Sequence, residues 1–392
     1  MRFSYIPHMR KLFPFLFLAC AIFFSCCRSQ SESGSVSNQR EFVVIGYVPG
    51  YSGELDETAI DARKLTHINY AFVNVRDSMA WLERIATDTV NFRKLNNLKK
   101  INPDLKILIS VGGWSWSENF SDAVLTESSR RKFARTNTAI VADYDLDGVD
   151  IDWEYPGMRG QDNVFRPEDK ENFTLMFKAI REELDILSEE TGKKYLLTTA
   201  IPCFTRFIEL TEMDRASQYL DYINLMAYDF YVNGDTAGHH SNLFPSENYD
   251  REQSGDRALK EYTQAGVPKE KLVLGIPFYG RSWYMTTADN HGINRPVDSL
   301  ARGGGYTFVK DSIASRPGFV RYWDDKAKVP YLFNSETLQL VSFDDEESVK
   351  LKCAYVKENN MAGVMFWQYA SDPKGYLLTA IDEARQETPH LP

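Results

Sequence analysis

The sequence predicts an α/β fold, a (β/α)8 TIM barrel with a small α+β insertion between its seventh and eighth strands. Three observations predict it. Eight short apolar, β-branched runs recur along the 392 residues, helical patterns separate most of them, and one Gly-, Tyr- and Thr-rich interval near the C-terminal end breaks the alternation. Alternating strands and helices imply parallel strands joined by crossovers, and eight such units fit a closed barrel better than an open doubly wound sheet.

Taken in order, residues 1–25 read as a lipoprotein-type signal peptide. Arg10 and Lys11 precede an apolar run from Leu12 to Phe24, followed by Ser25 and Cys26. That run is shorter than the about 20 residues a membrane span needs. A small residue followed by cysteine resembles the processing site of bacterial lipoproteins, with Cys26 lipidated; choosing Cys20 instead would leave Ala21 to Phe24 as an exposed apolar tail. The expectation is an exported protein anchored by lipid to a bacterial outer membrane or cell surface, the alternative being a soluble secreted or periplasmic one. Residues 26–40, polar and rich in serine, read as a tether.

The barrel is expected over 41–386. Its strands are read at Val43–Val48, Leu65–Phe72, Leu105–Val111, Gly148–Glu154, Tyr195–Ile201, Tyr222–Ala227, Leu272–Phe278 and Gly363–Trp367. The clearest helix runs from Glu168 to Glu190, where Phe173, Met176, Phe177, Ile180, Leu184 and Leu187 follow 3–4 spacing. The insertion, 283–343, carries Gly303-Gly304-Gly305-Tyr306-Thr307 and strand-like pieces at Phe319–Trp323 and Val329–Phe333. It falls on the face where barrels keep their active sites and would wall one side of a cleft. A last helix is expected near Tyr376–Arg385.

Composition narrows the function. With 43% hydrophobic residues the chain can build a large core, and its formal charge of −10, without a basic block interleaved with aromatics, argues against nucleic acid as a partner. Only Cys203 and Cys353 remain outside the amino-terminal segment, so no disulfide framework and no His/Cys metal site is expected. Cys353 shares a helical face with Val349 and Val356 and reads as a small buried hydrophobe. The expected state is a monomer.

The stretch Asp147-Gly148-Val149-Asp150-Ile151-Asp152-Trp153-Glu154-Tyr155-Pro156 is the most informative. With Asp143 and Asp145 it satisfies a calcium-loop pattern, but Pro156 and Gly157 forbid the second helix that such a loop requires. As a barrel strand it directs Val149, Ile151 and Trp153 outward and Asp150, Asp152 and Glu154 inward. Three carboxylates about 6–7 Å apart on one face cannot all ionise cheaply, so at least one pKa must rise. Glu154, at the carboxyl end, is then the natural general acid.

Here the sequence resembles glycoside hydrolase family 18, the chitinase-like barrels, whose D-x-x-D-x-D-x-E signature is met by Asp147, Asp150, Asp152 and Glu154. The resemblance extends along nearly all of the chain after the signal. Ser110-Val111-Gly112-Gly113 is similar to the third-strand S-x-G-G, Met226-Ala227-Tyr228-Asp229 to the sixth-strand M-x-Y-D, and Gly280-Arg281 to the end of the seventh strand. Trp367 resembles the tryptophan beneath the −1 sugar, and Tyr47 and Phe72 the aromatics of the first two strands; Trp114, directly after Gly113, joins them as a substrate contact. Met226 or Phe72 alone would read as core. One departure is visible: where these enzymes often carry a tryptophan shortly after M-x-Y-D, Phe230, Tyr231, Val232 and Asn233 follow.

The resemblance implies a retaining glycosidase without a metal or organic cofactor, acting on chitin, chitooligosaccharides or other N-acetylglucosamine-containing glycans. Asp152 sits beside Glu154 on the same strand, so it cannot attack from across the sugar, and the substrate's own 2-acetamido oxygen supplies the nucleophile. Glu154, Asp152, Asp150 and Tyr228 are the expected catalytic residues. Asp150, held by Tyr47 and Ser110, would share a proton with Asp152, and Asp229 would support Tyr228. Two other activities fit the same residues: an endo-β-N-acetylglucosaminidase acting on the chitobiose core of N-glycans, and a non-catalytic chitinase-like lectin, although such lectins typically lose the acid that Glu154 supplies.

Overall fold

The computed structural model describes residues 41–232 and 234–387. The signal segment, Cys26 and the tether lie outside the described residues, as does Asn233. Within them the strands are β1 Val43–Pro49, β2 His67–Arg76, β3 Met79–Trp81, β4 Lys106–Gly112, β5 Gly148–Asp152, β6 Leu196–Pro202, β7 Tyr222–Met226, β8 Leu272–Pro277, β9 Tyr279–Met285, β10 Val297–Gly305, β11 Phe319–Asp324, β12 Val329–Asn334, β13 Gln339–Ser342 and β14 Gly363–Trp367.

Eight of these, in the order β1-β2-β4-β5-β6-β7-β8-β14, pair in parallel, and β14 returns to β1 through Val43↔Gly363 to Gly46↔Phe366, closing a (β/α)8 barrel. Closure leaves no parallel edge unpaired. Strand alternation sorts the side chains. On β5 and just beyond it, Val149, Ile151 and Trp153 are buried in the main apolar layer beneath the helices, Trp153 stacked on Phe120 at 5.2 Å and packed against Phe173 of the helix Asp169–Thr191. Burying one such side chain stabilises the fold by roughly 1.5–3 kcal/mol. Cys203 and Cys353 are buried free thiols, and burial pushes the Cys353 thiol up to about 12.

A second, antiparallel sheet, ordered β10-β9-β13-β12-β11, is inserted between β8 and β14, the seventh and eighth barrel strands. Three features differ from the sequence reading. The pattern placed Gly280-Arg281 at the end of a barrel strand, but β8 stops at Pro277 and both residues belong to β9, because β9 finds antiparallel partners on both sides in β10 and β13. Second, Gly303 and Gly304 lie in β10, a strand the sequence reading does not assign; a Cβ at Gly303 would come within 1.7 Å of the Gly280 carbonyl, so the two backbones approach too closely for a side chain. Third, Glu154 lies past the end of β5, whose ladder with β6 stops at Ile151↔Thr199.

Candidate active site

The carboxyl ends of the barrel strands bring most of the anticipated residues together. Asp150 is fully buried and accepts four hydrogen bonds: from the Tyr47 hydroxyl (2.9 Å) and Ser110 Oγ (2.7 Å) on one oxygen, and from Thr198 Oγ1 (2.6 Å) and Asn224 Nδ2 (3.3 Å) on the other. Burial pushes its pKa up and these donors oppose the rise. Tyr47 and Ser110 hold Asp150 as expected; Thr198 and Asn224 were missed, although each is a polar residue at an inward position of an otherwise apolar strand. No hydrogen bond joins Asp150 to Asp152 among the described residues, and the four donors occupy both Asp150 oxygens.

Asp152 is buried, and its Oδ1 has no hydrogen-bond partner. Burial, then the neighbouring charges of Glu154 and Asp150, hold its pKa well above the usual carboxylate range. Glu154, partly exposed one step beyond, is raised to about 7, chiefly by desolvation, with the Tyr155 hydroxyl opposing and the charge of Asp229 adding to the rise. Two adjacent acids with raised pKa values retain at least one proton near neutral pH, the condition for general acid catalysis.

Aromatic side chains line the same site. Phe72 stacks on Trp367 with ring centres 5.4 Å apart, and Tyr47 tilts against Trp367 at 5.7 Å. Phe72 sits at an irregularity between β2 and β4, where Ala71 pairs with Ser110 and Val73 with Val111; the extra residue re-aims the side chain. Gly113 has φ +76°, and a Cβ there would lie 2.6 Å from the Phe72 ring, so only glycine admits the aromatic. Met226 and Tyr228 pack in the same cluster as Phe72 and Trp367. Trp114 is half exposed at the rim, its ring 6.3 Å from Tyr155.

The opposite wall comes from the second sheet. Arg281 on β9 grips Asp229 with Nε (2.8 Å) and Nη2 (2.7 Å), and its guanidinium lies over Tyr279, which meets Tyr228 edge to face at 6.2 Å. Fully buried His240 places Nδ1 3.5 Å from Asp229. Burial acts to raise the Asp229 pKa, but His240 and the Arg281 guanidinium overcome it and hold the carboxyl well below its ordinary value. Nothing in the sequence pattern singled out His240 or Tyr279, since a buried histidine and a strand tyrosine are ordinary core residues.

Two residues of interest fall elsewhere. Asp147 belongs to the motif but sits just before β5, at the opposite end of the strand from Glu154. There it accepts the Ile107 N–H at 2.8 Å and pairs with Lys99 (2.7 Å) and Lys193 (3.1 Å). Tyr231, in the stretch where a tryptophan was missed, is buried against Tyr249 in the core of the second sheet, with Arg251 over its ring.

The arrangement has known counterparts. The family model described as glycosyl hydrolases family 18 matches residues 43–372. Chitinase A1 of Niallia circulans is 35% identical over 84% of this chain, which spans 56% of that longer protein. Chitotriosidase-1 of Mus musculus is also 35% identical, over 79% of this chain and 67% of its own length. Among solved structures, a glycoside hydrolase family 18 N-acetylglucosaminidase from Paenibacillus barengoltzii superposes with a TM-score of 0.82 at 40% identity, covering 88% of this chain and 100% of its own.

Proposed function

The chain belongs to the glycosyl hydrolases family 18 and carries a glycoside hydrolase domain of the chitinase type, and on that premise we propose that it cleaves β-1,4 linkages between N-acetylglucosamine units of chitin or chitooligosaccharides, with retention of configuration and assistance from the substrate. The observation that carries this reading is the pairing of Glu154, raised to about 7 and partly exposed, with a buried Asp152 on the same chain segment. An ordinary retaining enzyme needs an ionised carboxylate across the sugar as nucleophile. Asp152 ends β5 only two residues before the acid and approaches from the same side, and Asp229 has both oxygens engaged by Arg281. The 2-acetamido carbonyl oxygen of the −1 sugar is the nucleophile that remains.

In this mechanism Glu154 gives its proton to the glycosidic oxygen as that carbonyl oxygen forms a bond to C1 and the C1–O bond to the leaving sugar breaks. The unpartnered Oδ1 of Asp152 accepts the acetamide N–H and faces the cationic oxazolinium. Glu154, now a carboxylate, takes a proton from the water that attacks C1 and reopens the ring. Tyr228 donates its hydroxyl at the −1 site, Phe72, Met226 and Trp367 support the sugar face, and Trp114 extends the platform at the rim. Asp150, Tyr47, Ser110 and Gly113 hold the floor.

A second reading, release of single N-acetylglucosamine units, is favoured by the similarity to the Paenibacillus N-acetylglucosaminidase. Mass spectrometry of products from chitin oligomers and from a high-mannose glycoprotein, side by side, tests both. Cleaved chitin oligomers with an untouched glycoprotein support the proposal, and monosaccharide as the sole initial product favours the second reading. Glycoprotein cleavage alone would overturn both. The Ser25-Cys26 junction supports a further proposal, export and lipid anchoring through Cys26.

A further inference from the structure

Beyond Asp152 the β5 backbone has left its ladder, so the Glu154 N–H has no strand partner, and a buried amide must find one elsewhere. It finds Ser117. The fully buried Ser117 Oγ accepts the Glu154 N–H at 2.8 Å and shares its own hydrogen between the Gly113 carbonyl (2.9 Å) and the Asp152 carbonyl (3.2 Å). The Asp152 carbonyl also accepts the Gly113 N–H at 2.7 Å. One hydroxyl thus ties the turn after β4 to the backbone on both sides of Trp153, between the two acids.

The sequence between them explains why such a tie is needed. Gly112 and Gly113 have φ of +104° and +76°, conformations chosen for the turn and for the approach of Phe72. A turn of this kind supplies no side chain to brace its neighbour. Ser117, four residues on and just before the short helix Phe120–Ala123, is the first polar side chain that folds back onto it. Trp153, stacked on Phe120, anchors the outer side of the same segment. The segment that carries the acid is therefore held by an aromatic stack on the helix side and, toward β4, by the Gly113 N–H on Asp152 and the serine oxygen on Glu154 itself.

We propose that Ser117 is a positioning residue that fixes the distance and aim of Glu154 relative to Asp152 and the scissile oxygen. The inference rests on the proposed role of Glu154 as general acid. Ser117 touches no substrate, so its removal acts on proton delivery and leaves the sugar platform of Phe72 and Trp367 in place.

The test compares two substrates of the full chain carrying Ser117→Ala. Cleavage of chitotetraose expels a sugar whose oxygen must be protonated as it leaves, so it depends on the acid. Cleavage of a 4-nitrophenyl chitobioside expels a stable phenolate and depends on the acid little. Misplacing a catalytic group by about 1 Å can lose on the order of 10²-fold in rate, so kcat/KM, which reports the steps up to departure of the leaving group, is expected to fall about 10- to 100-fold on chitotetraose and by less than about threefold on the aryl substrate. KM for chitotetraose stays near its wild-type value. If Ser117→Ala does not fold, Ser117→Cys, close in shape with a weak acceptor, carries the same comparison. Equal losses on both substrates, with wild type active on both, would overturn the positioning role alone. A wild type inert towards both would overturn the proposed function, and this inference with it.

Discussion

Both side-chain oxygens of Asp229 are held by the guanidinium of Arg281, at 2.8 and 2.7 Å, so a charge formed at the end of one barrel strand is fixed by a residue of the second sheet. Asp229 stays ionised across the working range, and that charge adds to the rise of the Glu154 pKa to about 7.

A pH dependence follows. Glu154 must be protonated to act as acid, so kcat/KM should be level just below its pKa and fall tenfold per unit above about 7. Asp229→Asn removes a negative charge, which lets Glu154 ionise more readily. The high-pH limb should move to lower pH, by up to about one unit. The pH profile of kcat/KM for both proteins checks this, and a shift to higher pH would reverse the assigned sign.

Replacing Glu154 by Gln keeps the shape and removes the proton. Turnover of chitin oligomers should drop by at least ~10²–10⁴-fold, while calorimetry shows oligosaccharide binding unchanged. Near-normal turnover would remove Glu154 from the mechanism.

If the acetamide is the nucleophile, the sugar at −1 must be acetylated. On partly deacetylated chitosan every new reducing end should be N-acetylglucosamine, NMR should show the β-anomer first, and a thiazoline mimic of the oxazolinium should compete with substrate. Glucosamine at new reducing ends would show that a carboxylate attacks instead, and an initial α-anomer would show that water displaces the leaving sugar directly.

Trp367→Ala should weaken binding and turnover together. The indole packs with Phe72 and Tyr47, and truncating a buried aromatic of a binding surface costs roughly 2–4 kcal/mol. Unchanged kinetics on short oligomers would place the sugar platform elsewhere.

For anchoring, Cys26→Ala should shift the protein from membranes to the soluble fraction or block its processing. A wild type already soluble, with a different mature amino terminus, would rule out the lipid. Retention of Cys26→Ala on membranes with Cys20 intact would move the attachment to Cys20.

Period-two patterning made the acidic strand legible, because Val149 and Ile151 alternate with Asp150 and Asp152 and burial on both faces leaves little freedom of register. The barrel strands could be read for the same reason. What stayed hidden depended on long-range pairing. Asn224 meets Asp150 across 74 residues and Arg281 meets Asp229 across 52, and no local pattern tells either residue which carboxylate it pairs with. Asp147 shows the reverse. Its place in the motif suggests chemistry, whereas its two lysine partners fasten the base of the barrel.

Phe278 is the one residue between β8 and β9. Through that short link the second sheet delivers Arg281 to the site, so it is wired into the reaction rather than appended to it. A designer trimming the chain to a minimal barrel would leave Asp229 without its counter-ion and Tyr228 without the Tyr279 ring. A chimaera that borrows a relative's insertion would inherit that relative's pH tuning along with its cleft. In this architecture, cleft depth and acid strength are not independent variables.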